Sequence, residues 1–385
     1  MTADRLHALV RRLQSGFLRK LLFVFGTRPE AIKLCPVLLS LRESGRFTVR
    51  LCVTAQHRGM LDQVLSAFRV TPDYDLDLMQ PGQTLAQISA RILAALEPVI
   101  VEERPDMLLV QGDTTTTMAG ALAAFYQHVP VGHVEAGLRT GDLHQPFPEE
   151  MNRVVTTRLA ALHFAPTETA RRNLLAEGIE PRRIFVTGNP GIDALLYVRD
   201  ALLAGRLPAC QWPQLDAGRK LIVVTAHRRE SFGDGIHRIC EALARLSQRP
   251  DVQLIYPVHR NPHVMDPVYA RLSGLPNLFL VEPLDYVPFV DLMRRAYLLI
   301  TDSGGIQEEG PSLGKPILVL RDKTERPEAV LAGSVKMVGT DAARIVDEAG
   351  RLLDDEAEYC RMARVHNPYG DGHASERIRQ AIEQF

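Results

Sequence analysis

Short apolar runs rich in β-branched residues alternate with longer stretches of helical periodicity, and this alternation limits the possible folds more than any other feature of the chain. Successive strand, helix and strand segments build parallel sheets whose faces are covered by helices. The first predicted strands are residues 21–25, 48–53, 107–111, 130–134, 162–165 and 184–187. A second group follows at residues 220–225, 253–258, 277–282, 297–301, 317–320 and 335–338. Several of these runs are apolar throughout, which is typical of strands buried on both faces.

The two groups of strands are separated by residues 201–218, which contain two prolines and show no regular periodicity. Such a segment is typical of a surface connection. We therefore predict an α/β protein of two doubly wound, Rossmann-like domains: residues 1–188, joined by a C-terminal helix at 367–385, and residues 189–366. Ligands of such folds bind at the carboxyl ends of the strands, so the expected site is a cleft between the facing domains.

Composition places the chain among ordinary globular proteins, since 46% of its 385 residues are hydrophobic, 24% are charged and the net charge is -1. Nothing in this balance indicates binding to nucleic acid or to an anionic membrane. Five cysteines without CxxC spacing indicate reduced thiols in a cytoplasmic enzyme and no metal site. No apolar run approaches the ~20 residues of a membrane span. Residues 1–20 are basic without a signal-peptide core, so we expect a surface helix or an upstream start there, with a mitochondrial-type leader as the alternative.

The first predicted strand runs into the segment FGTRPEAIK, residues 25–33. Gly26 permits a tight turn and Pro29 suits the first turn of a helix, whose free N–H groups and positive dipole end favour an anion. Arg28 lies between them, so the turn is predicted to bind an anion such as a diphosphate; a βα turn with a solvated arginine is the alternative. The segment is not a GxGxxG fingerprint, so no nicotinamide cofactor is expected.

Three acidic residues follow predicted strands or begin a predicted helix. Asp113 follows the third strand and precedes four threonines, Glu135 follows the fourth strand, and Glu149 begins the helix of PEEMNR. Two structural alternatives stay open. Asp113 can cap the next helix, and Glu149 and Glu150 can stabilise the helix dipole at the start of their helix. Carboxylates gathered at one crevice push one another's pKa values apart, so that one can act as a general acid and another as a base.

The second half repeats the pattern of polar side chains at strand ends. His227 and Arg228 follow its first strand, and His259 follows its second. Two His-Arg pairs indicate a wall that faces an anion, although a lone histidine is more often structural and no third partner with metal-ligand spacing is present. The strongest local signal is TDSGGIQEE, in which glycines after Ser303 allow the backbone to approach a phosphate and Glu309 can accept from a ribose hydroxyl. A Gly-rich βα turn without a ligand is the alternative.

Together these segments resemble the non-hydrolysing UDP-N-acetylglucosamine 2-epimerases of bacteria. The resemblance runs from about Leu21 to the C-terminus and rests, in chain order, on FGTRPEAIK, TAQHRGMLDQVL, GDTTTT, PVGHVEAGLRTGD, PEEMNR, AHRRE, TDSGGIQEE, PSLGKP, TERPE and NPYGDG. It implies a glycosyltransferase-B-like fold, a homodimer, and the interconversion of UDP-N-acetylglucosamine (UDP-GlcNAc) with UDP-N-acetylmannosamine (UDP-ManNAc).

The resemblance also implies roles for individual residues. The implied catalytic groups are Asp113, Glu135, Glu149 and His227. The implied contacts of UDP and its diphosphate are Arg28, Lys33, His227, Phe289, Ser303, Gly304, Glu309 and Arg326. A regulatory substrate site beside the active site is implied at Gln56, Gln83, Glu149, Arg228 and His259. The chain departs from the family pattern at Gly59 and Gly82, where polar side chains are frequent, and at Pro190-Gly191, so we expect weaker activation by the substrate.

The chemistry of the sugar explains why such groups are needed. The C2 proton is not acidic, because the ring has no carbonyl beside it. Expelling UDP from C1 while a base removes this proton avoids a free carbanion and gives 2-acetamidoglucal, to which a proton and UDP can return to form the other isomer. Three alternatives stay open: an epimerase for another UDP-2-acetamido sugar such as a 2,3-diacetamido uronate, a hydrolysing epimerase, and a non-catalytic UDP-sugar sensor.

Overall fold

The computed structural model describes residues 18–54, 58–80, 82–324 and 326–385. These residues form two compact units. The first comprises the described chain up to Ala194 together with Gly372–Phe385, and the second comprises Leu195–Asp371. Each unit contains one sheet, and within the described ranges every pair of neighbouring strands in both sheets is parallel.

Strands and helices alternate along both units. The strands of the first unit are β1 (Arg19–Phe25), β2 (Phe47–Val53), β3 (Tyr74–Asp75), β4 (Met107–Gln111), β5 (Val131–Val134), β6 (Leu162–Ala165) and β7 (Ile184–Val186). The strands of the second are β8 (Lys220–Thr225), β9 (Val252–Pro257), β10 (Leu278–Val281), β11 (Leu298–Thr301), β12 (Ile317–Val319) and β13 (Val335–Met337). The helices in chain order are α1 (Arg28–Glu43), α2 (Arg58–Ala67), α3 (Leu85–Glu103), α4 (Thr115–Tyr126), α5 (Glu149–Leu159), α6 (Glu168–Ala176), α7 (Pro190–Leu203), α8 (Asp234–Leu246), α9 (Pro262–Leu272), α10 (Tyr286–Arg295), α11 (Gly304–Glu309), α12 (Pro327–Ala332), α13 (Ala342–Asp354), α14 (Glu356–Ala363) and α15 (Ala374–Gln384).

The prediction of two parallel α/β sheets is confirmed, and every predicted strand is present with ends within two residues of those expected. The sequence analysis missed β3, which is only two residues long and therefore carries no recognisable pattern. Pairing with β2 creates this strand, because Tyr74 lies opposite Cys52 and Asp75 opposite Val53. Helix α7 begins at Pro190, where the backbone N–H of Gly191 donates to the Asn189 side chain at 2.9 Å. The departure at Pro190-Gly191 thus falls in a first helical turn.

Both sheets have the same strand order around their starting strand. The first is ordered β3-β2-β1-β4-β5-β6-β7, and the second β10-β9-β8-β11-β12-β13. In each sheet the chain starts at an inner strand and adds strands out to one edge. It then crosses to the other side of the starting strand and adds the remaining strands there. A crevice forms where the order reverses, since the loops that leave the two central strands diverge there. The turns after β1 and β4 form this point in the first unit, and those after β8 and β11 form it in the second.

The core of the first unit explains why β1 is apolar throughout. All five residues from Leu21 to Phe25 are completely buried, so both faces of the sheet are covered. Leu22 and Val24 belong to a cluster with apolar residues of α3 and α4. Within the described ranges, no helix combines the length and apolarity needed to cross a bilayer.

The C-terminal helix α15 packs within the first unit, although it follows the whole second unit in the chain. The Asp193 carboxylate accepts hydrogen bonds from the backbone N–H groups of Ser375 at 2.7 Å and Ala374 at 3.2 Å, at the start of α15. At the other end of the helix, the Arg19 guanidinium donates to the carbonyl of Ile382 at 2.9 Å. These contacts attach α15 to β1 and to the start of α7.

Candidate active site

The turn between β1 and α1 is organised by a buried carboxylate. Glu30 is 1% exposed, and its Oε2 accepts from the backbone N–H groups of Gly26 at 3.1 Å and Thr27 at 2.7 Å. In return, the Thr27 hydroxyl caps α1 by accepting from the N–H of Glu30. The N–H groups of Gly26, Thr27 and Glu30 are therefore already hydrogen-bonded to side chains of the same turn. For these three groups, the prediction that free N–H groups at this turn bind an anion is wrong. The half-buried Arg28 is the remaining cationic candidate there.

The same carboxylate links the first turn to the turn that follows β4. Glu30 Oε1 accepts from the hydroxyls of Thr114 at 2.6 Å and Thr117 at 3.2 Å. Burial raises the pKa of Glu30, and these hydrogen bonds oppose the effect. Glu30 was not singled out from the sequence, where it reads as an ordinary acidic residue in a first helical turn. Its position joins the turn that carries Arg28 to the turn that carries Asp113.

Asp113 does not cap the helix that follows it. The cap of α4 is Thr114, whose hydroxyl accepts from the N–H of Thr117 at 3.1 Å, so the capping alternative for Asp113 is wrong. The Asp113 carboxylate instead lies 3.0 Å from the Arg153 guanidinium and keeps 32% of its side-chain surface exposed. Asn152 fixes the backbone of the same residue by donating to its carbonyl at 2.9 Å. Asp113 is thus held at the switch point with an accessible carboxylate.

Glu135 is held by three donors in an unusual backbone conformation. Its φ is +62°, in the left-handed region, and its side chain is almost completely buried. Oε1 accepts from the Lys33 ammonium at 2.5 Å and from the Asn189 amide at 3.1 Å, while Oε2 accepts from the Gln111 amide. Three donors, one of them cationic, therefore hold the Glu135 carboxylate in place. The sequence analysis missed the roles of Gln111 and Asn189, although both are polar residues at or just after a strand end.

The acidic pair at the start of α5 divides into a structural and an accessible member. Glu150 is 1% exposed, and its Oε1 accepts from the N–H groups of Thr140 and Gly141, both at 3.1 Å. Its Oε2 lies 3.4 Å from Arg153, which also pairs with Asp113. Glu149 is half-buried and makes no comparable side-chain contact in the described residues. Glu149 and Glu150 both lie in the first turn of α5, where the helix-dipole alternative places them. Glu150 in addition anchors the preceding loop, while Glu149 remains a candidate for chemistry.

The environment of Asp113 raises the pKa of this carboxyl to about 6. Burial is the main cause, and the negative charges of Glu135 and Glu149 add to it, while Arg153 and Lys33 oppose it. A carboxyl whose pKa lies near neutrality is suited to act as a general acid or base. The first unit therefore brings together Asp113, Glu135, Glu149 and Lys33 of the predicted site.

A cavity of about 840 Å³ lies within the first unit beside these groups. Asp113 and Glu149 line it, and so do two residues of the predicted regulatory site, Gln83 and the departure Gly82. The Gln83 amide oxygen accepts from Arg91 at 2.9 Å. Gln56 lies outside the described residues, and Gly59 lies in the first turn of α2. The cavity is large enough for a sugar and is lined by carboxylates at one end.

His227 and Asp302 form the centre of the switch point in the second unit. Asp302 is completely buried, and its Oδ2 accepts from the backbone N–H groups of His227 at 2.6 Å and Arg228 at 2.7 Å. The His227 ring stacks on the ring of His259, with centroids 5.3 Å apart and planes 17° from parallel. Burial lowers the pKa of His227, and the negative charge of Asp302 opposes this effect. The structure thus brings His227, Arg228 and His259 together.

The remaining predicted residues of the second unit surround the short helix α11. Ser303 occupies the position before α11 without capping it through its side chain, so its hydroxyl is not used there. Arg326 forms an ion pair with Glu308, and its backbone N–H donates to Thr324 at 3.0 Å. Glu309 is half-buried, as is Phe289 on α10. The sequence analysis missed Glu308, which the adjacent acidic residue obscured.

The match of the chain to known proteins extends over nearly its whole length. A family model described as UDP-N-acetylglucosamine 2-epimerase matches residues 39–383. A UDP-N-acetylglucosamine 2-epimerase of Salmonella typhimurium is 58% identical over 371 residues, which cover 95% of this chain and 99% of the relative. The crystal structure of a UDP-GlcNAc 2-epimerase from Neisseria meningitidis bound to UDP-GlcNAc matches with a TM-score of 0.87 and 48% identity, over 95% of this chain and 100% of that chain. A glycosyltransferase of kitacinnamycin, 14% identical, matches with a TM-score of 0.65 over 96% of this chain and 99% of that chain, which indicates a shared fold alone.

The fold is accordingly glycosyltransferase-B-like, with one Rossmann-like sheet in each unit. Four of the motifs that carried the resemblance, FGTRPEAIK, GDTTTT, AHRRE and TDSGGIQEE, begin at or beside the switch points of the two sheets, where such folds bind ligands. Since the family model spans most of the chain and curated relatives share more than half of its residues, the chain belongs to the non-hydrolysing UDP-N-acetylglucosamine 2-epimerase family, a family of isomerases.

Proposed function

We propose that the chain catalyses the reversible C2 epimerisation of UDP-GlcNAc to UDP-ManNAc by anti elimination and re-addition of UDP. The names of the relatives support the substrate, since the Salmonella protein is a UDP-N-acetylglucosamine 2-epimerase and the Neisseria structure contains UDP-GlcNAc. A base removes the C2 proton while the C1–O bond breaks and its electron pair leaves with UDP, giving 2-acetamidoglucal. A proton then returns to the opposite face of C2, and UDP adds again at C1.

The observation that carries the proposal is the carboxylate cluster of the first unit. Lys33, Gln111 and Asn189 all donate hydrogen bonds to Glu135, whereas the pKa of Asp113 is raised to about 6. A binding protein for an anionic ligand gains nothing from gathering negative charge, because such charge repels a diphosphate. Proton transfer at C2 does need groups of unequal proton affinity, and correctly placed ones typically contribute ~10²–10⁴-fold.

The contacts suggest different roles for the three carboxylates. Asp113 and Glu149 line the cavity, so we propose that they exchange protons with the sugar from there. Glu135 is deeper and already carries three donors, so we propose that it supplies the fixed negative charge that keeps a proton near Asp113. Lys33, implied as a diphosphate contact, then acts through its ion pair with Glu135.

The second unit supports binding of the UDP part. The proposed contacts are His227, Phe289, Ser303, Gly304, Glu309 and Arg326, with Arg28 of the first unit as a further diphosphate ligand. Two features favour these assignments: the Ser303 hydroxyl makes no capping hydrogen bond with α11, and the Phe289 ring is half-buried. A diphosphate needs a donor and a uracil needs a flat apolar surface. A second, activating UDP-GlcNAc site remains a proposal, supported by Gln83 and Glu149, which line one cavity.

Proton NMR in D₂O tests the proposed reaction directly. The purified chain is incubated with UDP-GlcNAc without added cofactor, and we expect UDP-ManNAc that carries deuterium at C2. Complete retention of the original hydrogen at C2 during turnover would exclude the elimination mechanism. Free ManNAc with UDP would identify a hydrolysing epimerase, and binding without conversion would identify a sensor. Conversion of only a 2,3-diacetamido uronate would reassign the substrate.

We also propose that the active form is a homodimer located in the cytoplasm, as the family resemblance implies. Static light scattering checks the first point, and the mass found in solution should be twice that of the chain. A mass equal to one chain at micromolar concentration would contradict the proposal. Fractionation of the native cells with an antibody against the chain checks the second point.

A further inference from the structure

Asp302 is a completely buried carboxylate with one satisfied and one unsatisfied oxygen. Its Oδ2 accepts two backbone N–H groups, from His227 at 2.6 Å and Arg228 at 2.7 Å. Its Oδ1 is buried and has no hydrogen-bond partner in the described part of the chain. An unsatisfied buried carboxylate oxygen is costly, and native proteins keep such atoms chiefly where a partner arrives during function. Asp302 Oδ1 can therefore accept a hydrogen bond from a nearby side-chain donor.

The imidazole of His227 is positioned to supply that donor. Its Nδ1 lies 3.6 Å from Asp302 Oδ1, just beyond hydrogen-bond distance. The backbone of His227 is already bound to the other oxygen of the same carboxylate, so the ring and the carboxylate are held at nearly fixed separation. The backbone N–H and the ring Nδ1 of His227 both face the Asp302 carboxylate. A small rotation of the His227 side chain would therefore bring Nδ1 within hydrogen-bond distance of Oδ1.

Among the groups around His227, Asp302 is the one that favours protonation of the imidazole. His259 stacks on one face of the imidazole, and both His259 and Arg228 act against protonation of His227. Burial acts in the same direction, and Asp302 alone among the charged neighbours opposes it. The stacked His259 ring also restricts rotation of the His227 ring about its own axis, so the two nitrogens cannot easily exchange positions.

We infer that Asp302 is a positioning residue that holds His227 with Nδ1–H directed at its Oδ1 and Nε2 directed away as a donor for the departing diphosphate. Asp302 thereby stabilises the imidazolium whose Nε2–H binds the phosphate oxygens. An ionised donor forms a stronger hydrogen bond with a phosphate than a neutral one. The tautomer and the proton affinity of His227 can be measured in the free protein. The effect on UDP binding rests on the proposed function.

Nitrogen NMR of the ¹⁵N-histidine-labelled full chain tests the tautomer in the free protein. The His227 signals are assigned by their absence in His227→Gln. We expect the neutral ring of the wild type to carry its proton on Nδ1, opposite to the tautomer that prevails in water. A neutral ring protonated on Nε2 would overturn the inference, and this measurement needs no Asp302 variant that has to fold.

The variant Asp302→Asn tests whether Asp302 sets the tautomer and the pKa of His227. The Asn carbonyl has to accept from the backbone N–H groups of His227 and Arg228, so the amide NH₂ faces Nδ1. We therefore expect the proton to move to Nε2 and the pKa of His227 to fall by at least one unit. UDP affinity should weaken roughly 10–100-fold at pH 6, the scale of one charge-assisted hydrogen bond. The pH dependence of UDP binding between about pH 5 and 8 should flatten.

The matched control is Asp291→Asn, which alters another completely buried aspartate of the second unit that accepts from Trp212 at 3.3 Å and pairs with Arg294. We expect it to lower the melting temperature without changing the His227 tautomer. If Asp302→Asn leaves the His227 pKa and the pH dependence of UDP binding unchanged, Asp302 has only a structural role. If the tautomer shifts but the wild-type chain converts no UDP-GlcNAc, the positioning stands and the proposed function fails.

Discussion

The Lys33 ammonium of α1 lies 2.5 Å from Oε1 of Glu135, the residue that follows β5. Side-chain exposure is 22% for Lys33 and 6% for Glu135, so water screens the pair only weakly. The Glu135 carboxylate also accepts from Gln111 and Asn189, so the ion pair lies in a network that holds this carboxylate in place. The pair therefore determines both where the turn after β5 lies and how much negative charge faces Asp113.

A double-mutant cycle measures this ion pair. Lys33→Met leaves a buried carboxylate and Glu135→Gln leaves a partly buried ammonium, so each single change should lower the free energy of unfolding by up to about 3 kcal/mol. The double variant should be more stable than the sum of the single changes predicts, by about 0.5–3 kcal/mol. Urea denaturation at pH 7.5 gives these values. Additive effects would mean that the two charges do not interact in solution.

Turnover separates the roles of the carboxylates. Glu135→Gln, Asp113→Asn and Glu149→Gln should each lower turnover by about 10²-fold or more. UDP affinity should change by less than about tenfold, because the proposed UDP contacts of the second unit are unaltered. Steady-state kinetics with UDP titrations provides both numbers. Near-normal turnover in any one variant would remove that residue from the chemistry.

Gln111→Leu tests the third donor to Glu135. The Gln111 side chain is buried and donates to Glu135 Oε2, so its loss should cost about 1–3 kcal/mol of stability. It should also raise the proton affinity of the cluster, so the acidic limb of the pH–turnover profile should move to higher pH. Gln253→Leu is the matched control, since Gln253 is also buried and, among the described residues, its side chain bonds to backbone groups of Asp216 and Arg219. It should reduce stability and leave the profile unchanged.

The pH profile should report the ionisation of Asp113. The pKa of this carboxyl is raised to about 6, so kcat/KM should show an ionisation near pH 6 that disappears in Asp113→Asn. A raised folded-state pKa means that Asp113 disfavours the folded state once pH exceeds about 6 and not below about 4. Asp113→Asn should therefore gain stability relative to the wild type as pH rises through this interval. A constant difference between pH 4 and 8 would show that Asp113 titrates normally.

Two buried histidines should make the fold sensitive to acid. Burial lowers the pKa of His133 to about 4 and that of His163 to about 3, so both rings are neutral in the folded protein. Because the unfolded chain binds protons near pH 6.5, the stability contributed by the neutral rings is lost as pH falls from there toward 3. Neither ring nitrogen of His163 has a partner in the described residues, whereas His133 Nε2–H donates to the Gly112 carbonyl at 2.7 Å.

His163→Phe checks this expectation. The change keeps the volume, removes the cost of burying two unsatisfied nitrogens and should flatten the fall in the free energy of unfolding between pH 6.5 and 4. Turnover should stay within about twofold, since His163 on β6 is not one of the proposed site residues. The control is the exposed His144→Gln, which should alter neither slope nor turnover. An unchanged slope in His163→Phe would mean that the ring is protonated or hydrated in the fold.

Local patterns in the sequence were enough to predict both parallel sheets and the polar residues at their strand ends. The physical reason is that an apolar strand buried on both faces, such as β1, carries its signal in its own residues, and that the carboxyl ends of parallel strands lie at one edge of their sheet. The resemblance carried by motifs such as TDSGGIQEE then indicated the family, which the comparisons confirmed.

Only the tertiary structure decided which polar groups pair. In the sequence, Glu30 reads as an ordinary acidic residue of a first helical turn and Glu150 as a partner of a helix dipole, yet each carboxylate holds a turn in place. Gln111 donates to Glu135, which lies 24 positions further along the chain, and Asp302 bonds to the backbone of His227, 75 positions before it. Such contacts depend on strand order and on which side of a turn each carbonyl and carboxylate faces. No local pattern encodes that geometry, because it exists only once the crossovers have brought the strand ends together.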